Sequence, residues 1–270
     1  AMLTRTAQPK TVLMCRPDFY TVCYRINPWM HPGKPTDTHK AIEQWERLHH
    51  TYLELGHEVQ LIQPVEGLPD MVYAANGGLV IGGRALGAHF RYKERGPESA
   101  AYMQRFAELG LEVINPTAFN EGEGDFLKVG DVILGGSGFR SAIDSHREVG
   151  AAFELEVLSL ELINPSYYHL DTCLAVLDPH NIAYLPSAFS EASLSTLQQR
   201  FPEAIIASEE DAAVFGLNLV SDGKRVVMAR QAAGIAAQLA ALGYEPIALD
   251  VSELNLGGGG IKCCTLELHP

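Results

Sequence analysis

The chain has 270 residues, 47% of them hydrophobic and 20% charged, with a formal net charge of −13. That length and balance suit a globular protein with a sizeable core, and the acidic surplus argues against a nucleic-acid partner, whose phosphates need clustered Lys and Arg. There is no run of about 18 apolar residues to span a bilayer, and the first residues lack the charged-then-apolar pattern of a signal peptide.

In chain order, TVLMC (Thr11–Cys15) reads as a strand. A helix over Thr36–Leu55 follows, with Ala41, Trp45, Leu48, Tyr52 and Leu55 on one apolar face. Met71–Gly83 then reads as a hairpin with its turn near Asn76, because Asn-Gly tolerates positive φ. The helix predicted over Glu98–Leu109 has Pro97 near its start and Gly110 at its end, and a strand in LEVINP comes next. The same order recurs three times. Phe126–Gly136 turns near Gly130, and leads to a helix over Ser141–Phe153 and a strand over Val157–Ile163. Leu170–Pro186 turns near Pro179, and leads to Ser190–Phe201 and AIIAS. Leu217–Ala229 turns near Asp222, and leads to Arg230–Leu242 and PIALD.

The last segment, CCTLEL, has no following hairpin partner, and TVLMC has no preceding one. Joined, the two chain ends complete a fifth unit. A repeat of this size around a chain implies a closed or solenoid array. A doubly wound sheet is the alternative, but its strands alternate singly with helices instead of arriving as hairpins. The expected fold is α/β, five ββαβ modules in a ring, with residues 1–270 forming one catalytic domain.

Several segments carry chemistry. NLGGGGIKCCTLEL sets four glycines before a thiol pair, and glycine lets backbone approach a ligand closely. A nearby cation (Lys262, a His or a cationic substrate) would raise the thiolate fraction of Cys263. His169 and Asp171, two apart in HLD, would face one pocket if they lay on a strand. The His would move protons and the Asp hold substrate. EGEGD (Glu121–Asp125) places acids among glycines where the second hairpin opens. Each motif alone has an ordinary structural explanation, such as core packing, surface pairing or a solvated turn. In a ring, however, Asn76, the Glu121 segment, His169 and Cys263 sit at or near equivalent stages and converge on the axis. Cys15, Cys23, Cys173, Cys263 and Cys264 are odd in number and lack CxxC spacing. They read as reduced thiols in a cytoplasmic compartment. A metal site at His49, His50 and His57 lacks an acid at ligand spacing, so no metal or cofactor is expected.

The ordered set VYAAN, EGEGD, HLD and GG-IKC resembles the guanidine-modifying enzyme superfamily, the penteins, over nearly the whole chain. The resemblance implies a five-bladed α/β propeller with its site on the axis and an arginine-like small-molecule substrate. Homo-oligomerisation is left open. By position, Cys263 resembles the family nucleophile, His169 the general acid/base, and Glu121 its partner. Many relatives read EGGD, so Glu123 is the alternative to Glu121. Asp125 and Asp171 belong to the same motifs and are expected near substrate. Arg91 in HFRYKER and Arg140 in GSGFRS resemble arginines that hold the substrate carboxylate. Asn76 stands where deiminases and methylarginine hydrolases usually have Asp, and Asn27 lies in YRINPWM, a segment resembling that of arginine dihydrolases. Cys23 replaces an Asp of that segment, and is expected either to alter which guanidine is accepted or to pack as a strand residue. An amide hydrogen-bonds a neutral ureido group as readily as a cation. The resemblance therefore implies an arginine dihydrolase giving ornithine, ammonia and carbon dioxide. A deiminase or dimethylarginine dimethylaminohydrolase releasing citrulline, or an amidinotransferase, is the alternative.

Overall fold

The computed structural model describes residues 4–270. Its fifteen strands form five repeats of one unit. β1 (Thr11–Cys15) runs parallel to β2 (Glu58–Ile62). The hairpin β3 (Gly78–Ile81) and β4 (Arg84–Gly87) is antiparallel, and β5 (Glu112–Ile114) lies parallel to β4. The same pattern recurs in β6 (Phe126–Val129), β7 (Val132–Ser137) and β8 (Glu156–Glu161), and in β9 (Leu174–Asp178), β10 (Asn181–Tyr184) and β11 (Ile205–Ile206). β12 (Val220–Ser221), β13 (Arg225–Ala229) and β14 (Glu245–Leu249) repeat it once more.

The last strand, β15 (Leu266–His269), closes the ring. It pairs antiparallel with β1, Val12 opposite Glu267 and Leu13 opposite Leu266, so the fifth hairpin is made from the two chain ends. β15 also pairs parallel with β3, which merges the fifth and first units into one six-stranded sheet. The architecture is the expected five-bladed α/β propeller.

The helix between β1 and β2 runs Thr38–Glu54, starting where the Asp37 carboxylate accepts the Lys40 N–H at 3.0 Å. It buries Ala41, Trp45, Leu48 and Tyr52 of the face read from the sequence, while Leu55 is the half-buried C-cap. The other crossover helices are Glu98–Glu108, Asp144–Phe153, Glu191–Arg200 and Ala233–Ala241. The third begins three residues later than expected because Ser141 is drawn out of helical geometry. Its hydroxyl donates to Asp125 at 2.6 Å and accepts the Glu121 N–H at 3.0 Å. A short helix, Glu209–Ala213, was not anticipated; Ser208 caps it by accepting the Asp211 N–H, an S-x-x-D signature visible in the sequence.

Three local expectations are overturned. The first hairpin turns at Gly82–Gly83, both at positive φ, and not near Asn76. Asn76 lies in a 3₁₀ turn, Ala74–Gly77, that precedes the hairpin. Gly77 and Gly78 are there for packing: a Cβ at Gly77 would stand 2.5 Å from Tyr102, and one at Gly78 2.7 Å from Phe106. His169 and Asp171 are not on a strand. His169 is extended and precedes a 3₁₀ turn, Leu170–Thr172, that contains Asp171. Finally, Cys263 and Cys264 lie in a turn ahead of β15, not on it.

Candidate active site

Five backbone turns, one at the mouth of each hairpin, meet around the axis and are joined in a closed circle of hydrogen bonds. The Asn76 amide donates to the Glu121 carbonyl at 3.1 Å. The Glu121 carboxylate pairs with His169 Nε2 at 2.7 Å. The Asp171 carbonyl accepts from Asn218 Nδ2 at 2.9 Å, and Asn218 Oδ1 accepts the Cys263 N–H at 3.0 Å. The Cys263 carbonyl takes the Ala75 N–H at 3.0 Å, which returns the circle to the first unit. All of these side chains are buried. Asn218 was not anticipated. It lies among apolar residues in GLNLV, which reads as the start of a strand. Its stage, just ahead of a hairpin like Asn76 and Asp171, was the signal that could have found it.

Cys263 packs with Val72, Tyr73 and Ile261, and its sulfur meets two polar side chains. Its Sγ lies 3.6 and 3.7 Å from the two Asp171 carboxylate oxygens and 3.3 Å from Asn218 Nδ2. Burial, then the Asp171 carboxylate, pushes the Cys263 thiol well above its ordinary value. Burial likewise raises the Asp171 carboxyl to about 7, against the pull of His169 and Lys262. A guanidinium placed here would favour ionisation of both groups. Lys262 is not the activating cation beside the thiol. Its ammonium is held by Glu123 and Glu267, and it lines a separate cavity of about 460 Å³.

Glu121 and Glu123 are separated cleanly. Glu121 Oε1 meets both His169 Nε2 and Arg140 Nη1, at 2.7 and 2.8 Å, and Oε2 accepts the Arg91 N–H at 3.1 Å. Burial alone would raise this carboxyl, but Arg140 and then His169 hold it far below the usual range. Glu123 lines the same cavity as Lys262, bonded to Lys262, to His269 at 2.7 Å and to the Glu267 N–H at 2.9 Å. Glu123→Gln should therefore lower the unfolding free energy by about 1–3 kcal/mol and leave kcat within a few-fold, read by denaturant melts and turnover. A loss of kcat as deep as that of Glu121→Gln would reverse the two roles.

The remaining expected site residues divide. Asp125 is consumed in positioning: one oxygen accepts the Leu170 N–H at 3.0 Å, the other the Ser141 hydroxyl at 2.6 Å. It ties the His169 turn to Ser141. Asn76 has both ends engaged, Oδ1 by Arg95 Nη1 at 2.7 Å and Nδ2 by the Glu121 carbonyl, which leaves one N–H to offer. Gly124 makes room for it, since a Cβ there would lie 2.2 Å from Asn76 Nδ2 and 3.6 Å from the His169 ring. Asn27 organises the covering loop by accepting the Trp29 and Met30 N–H groups and donating to Gly257 O and the Tyr168 hydroxyl. Arg140 is sandwiched between Tyr92 and Tyr168, 4.8 and 4.6 Å from the ring centres. Arg91 is exposed, lies over Phe119, and donates through Nε to the Arg140 carbonyl at 2.8 Å. Cys23 is exposed and outside any strand, so the packed-strand reading fails. The His169 Nδ1 atom is buried without a protein partner. Among the described residues no three His, Cys, Asp or Glu side chains gather as metal ligands, and no helix is long and apolar enough to cross a membrane.

No family model matches the sequence. The chain is 52% identical over 266 residues to N(G),N(G)-dimethylarginine dimethylaminohydrolase of Mycobacterium tuberculosis, covering 98% of this chain and 88% of that protein. It is 37% identical over 265 residues to the bifunctional arginine dihydrolase/ornithine cyclodeaminase ArgZ of Synechocystis, covering 95% of this chain but 37% of ArgZ. A crystal structure of the N-terminal domain of ArgZ, a cyanobacterial arginine dihydrolase, holds substrate in a cysteine-to-serine variant. It superposes at a TM-score of 0.93 with 36% identity, covering 96% of this chain and 98% of that one. An asparagine-to-serine variant of the same domain, also at 0.93 and 36%, is covalently bound to a reaction intermediate.

Proposed function

The chain belongs to the guanidine-modifying enzyme (pentein) superfamily and hydrolyses amidine C–N bonds, and from that premise we propose that it acts on free arginine and hydrolyses it twice. The observation that carries this reading is the pairing of a carboxyl raised to about 7, Asp171, against Cys263 Sγ with a neutral amide, Asn76, beside Glu121. A site that must bind first a cation and then a neutral ureido group needs a partner able to change sign of hydrogen bonding. Ionised Asp171 accepts from a guanidinium; protonated Asp171 donates to a ureido oxygen.

In the first round the Cys263 thiolate attacks the guanidino carbon. The C–N bond to a terminal nitrogen breaks, and His169 supplies the proton with which ammonia leaves. Water, giving its proton to His169, then attacks the covalent intermediate and expels the thiolate, leaving citrulline. Glu121 orients His169 and stabilises the imidazolium when it forms. In the second round the thiolate attacks the ureido carbon and a second ammonia leaves. Water converts the resulting thiocarbamate to the N-carboxy amine, which loses carbon dioxide to give ornithine. Arg91 is an exposed guanidinium bonded to the Arg140 carbonyl and suits the substrate's carboxylate, while Arg140 neutralises Glu121.

Purified enzyme with L-arginine should release two ammonia and one ornithine per arginine. With citrulline as the starting substrate, its kcat/KM relative to that of arginine should fall about tenfold between pH 7 and pH 8 as Asp171 loses its proton; both values are referred to the free enzyme, so its thiolate fraction cancels. Citrulline accumulating as sole product would end the two-round reading. The 52% identical methylarginine hydrolase supports a second one, in which dimethylarginine yields citrulline and dimethylamine. Amine analysis with both substrates separates the two.

A further inference from the structure

Asn218 occupies the fourth station of the circle, and its amide can be oriented only one way. One end receives two backbone N–H groups, from Gly260 at 3.1 Å and Cys263 at 3.0 Å, so that end is the oxygen. The other end is therefore the NH₂ group, with two hydrogens to place. One goes to the Asp171 carbonyl at 2.9 Å; the other points at Cys263 Sγ, 3.3 Å away. The residue is fully buried. We propose that Asn218 is a catalytic residue, donating the hydrogen bond that holds Cys263 Sγ as a thiolate for attack and receives the sulfur again each time the covalent intermediate breaks down.

The chemistry around the sulfur calls for such a donor. Asp171 presents negative charge to the same atom, and burial removes water that would otherwise solvate a thiolate. Lys262, the nearest cation in sequence, is turned away to Glu123 and Glu267. A fixed N–H is the group that can stabilise sulfur's charge without competing with a cationic substrate for Asp171. Two N–H bonds to Oδ1 keep the donor from rotating, so no reorganisation is needed at the moment of attack. One amide thus fixes the turn that carries the nucleophile and solvates its charge.

The inference rests on Cys263 being the nucleophile, and the test keeps the two apart. Asn218→Asp retains oxygens for the Gly260 and Cys263 N–H groups but loses the donor; Asn218→Ala loses the donor without adding charge. Alkylation of Cys263 by iodoacetamide would be followed against pH, with Cys263→Ser supplying the background from exposed Cys23, alongside kcat for arginine. Both variants should alkylate and turn over about tenfold more slowly at pH 7. The midpoint of each variant's alkylation profile should move up by about one pH unit with the plateau at high pH unchanged, because a deficit of thiolate is restored by base whereas a displaced nucleophile is not. Where Asn218→Ala does not fold, Asn218→Asp alone decides. An unchanged profile, or a lowered plateau with an unshifted midpoint, overturns the proposal. Turnover surviving in Cys263→Ser would instead overturn the nucleophile assignment.

Discussion

Cys263→Ser should abolish turnover, by about 10³-fold or more, with its thermal unfolding unchanged, while Cys264→Ser keeps most activity. The two thiols are neighbours in sequence but not in chemistry. Cys263 Sγ touches Asp171 and Asn218 at the axis, whereas Cys264 is buried in the core with Met14, Leu48 and Tyr52. A serine hydroxyl at 263 fits the same donor and acceptor, so the fold survives, but its alkoxide is far less accessible than a thiolate. At 264 a hydroxyl enters apolar surroundings and costs about 1–3 kcal/mol of stability without reaching substrate. Steady-state kinetics and denaturant melts of both variants check this. The reverse pattern would shift the nucleophile by one residue.

Glu121→Gln should be the most damaging isosteric change in the molecule, to stability and to catalysis together. The carboxylate is buried and is shared by Arg140 and His169. Neutralising it strands a buried guanidinium, a loss of about 3–5 kcal/mol. It also removes the group that orients His169, and loss of acid–base function costs about 10²–10⁴ in kcat. The pH dependence has a definite sign. Glu121 is held below its unfolded value of about 4.3, so its stabilisation is fully present above that pH and lost as pH falls toward the folded value. Wild-type stability should therefore drop steeply below about pH 4, and that part of the slope should vanish in Glu121→Gln. Urea melts across pH read both effects. A variant with wild-type acid sensitivity would remove Glu121 from the buried pair.

The ring itself was legible because its signals are local and repeated. Ala41, Trp45, Leu48 and Tyr52 mark one helix face by spacing alone. The unpaired segments at the two ends had one way to complete the pattern, and β15 on β1 completes it. Finer geometry was hidden where one residue type serves two purposes. Asn76-Gly77 has the composition of a hairpin turn, yet Gly77 exists to admit Tyr102. Glu121 and Glu123 would share a face on a strand, but a 3₁₀ turn over Gly122–Gly124 sends them to opposite partners, His169 and Lys262. Asp125 was expected near substrate because it belongs to the EGEGD motif of the resemblance; its bonds to Leu170 and Ser141 depend on contacts 45 and 16 residues away, which spacing does not reveal. Asn218 had only its stage ahead of a hairpin as a signal, since an amide between leucines carries none of its own until the fourth turn is seen beside the fifth.

The most direct test of the account is to catch the sulfur in the act. Enzyme mixed with excess L-arginine, quenched in acid during turnover and digested, should carry an arginine-derived adduct on the peptide containing Cys263, detected by mass spectrometry. The adduct should appear before steady state and be absent from Cys263→Ser. An adduct on another residue, or full turnover with no adduct in any peptide, would contradict attack by Cys263 on the guanidino carbon.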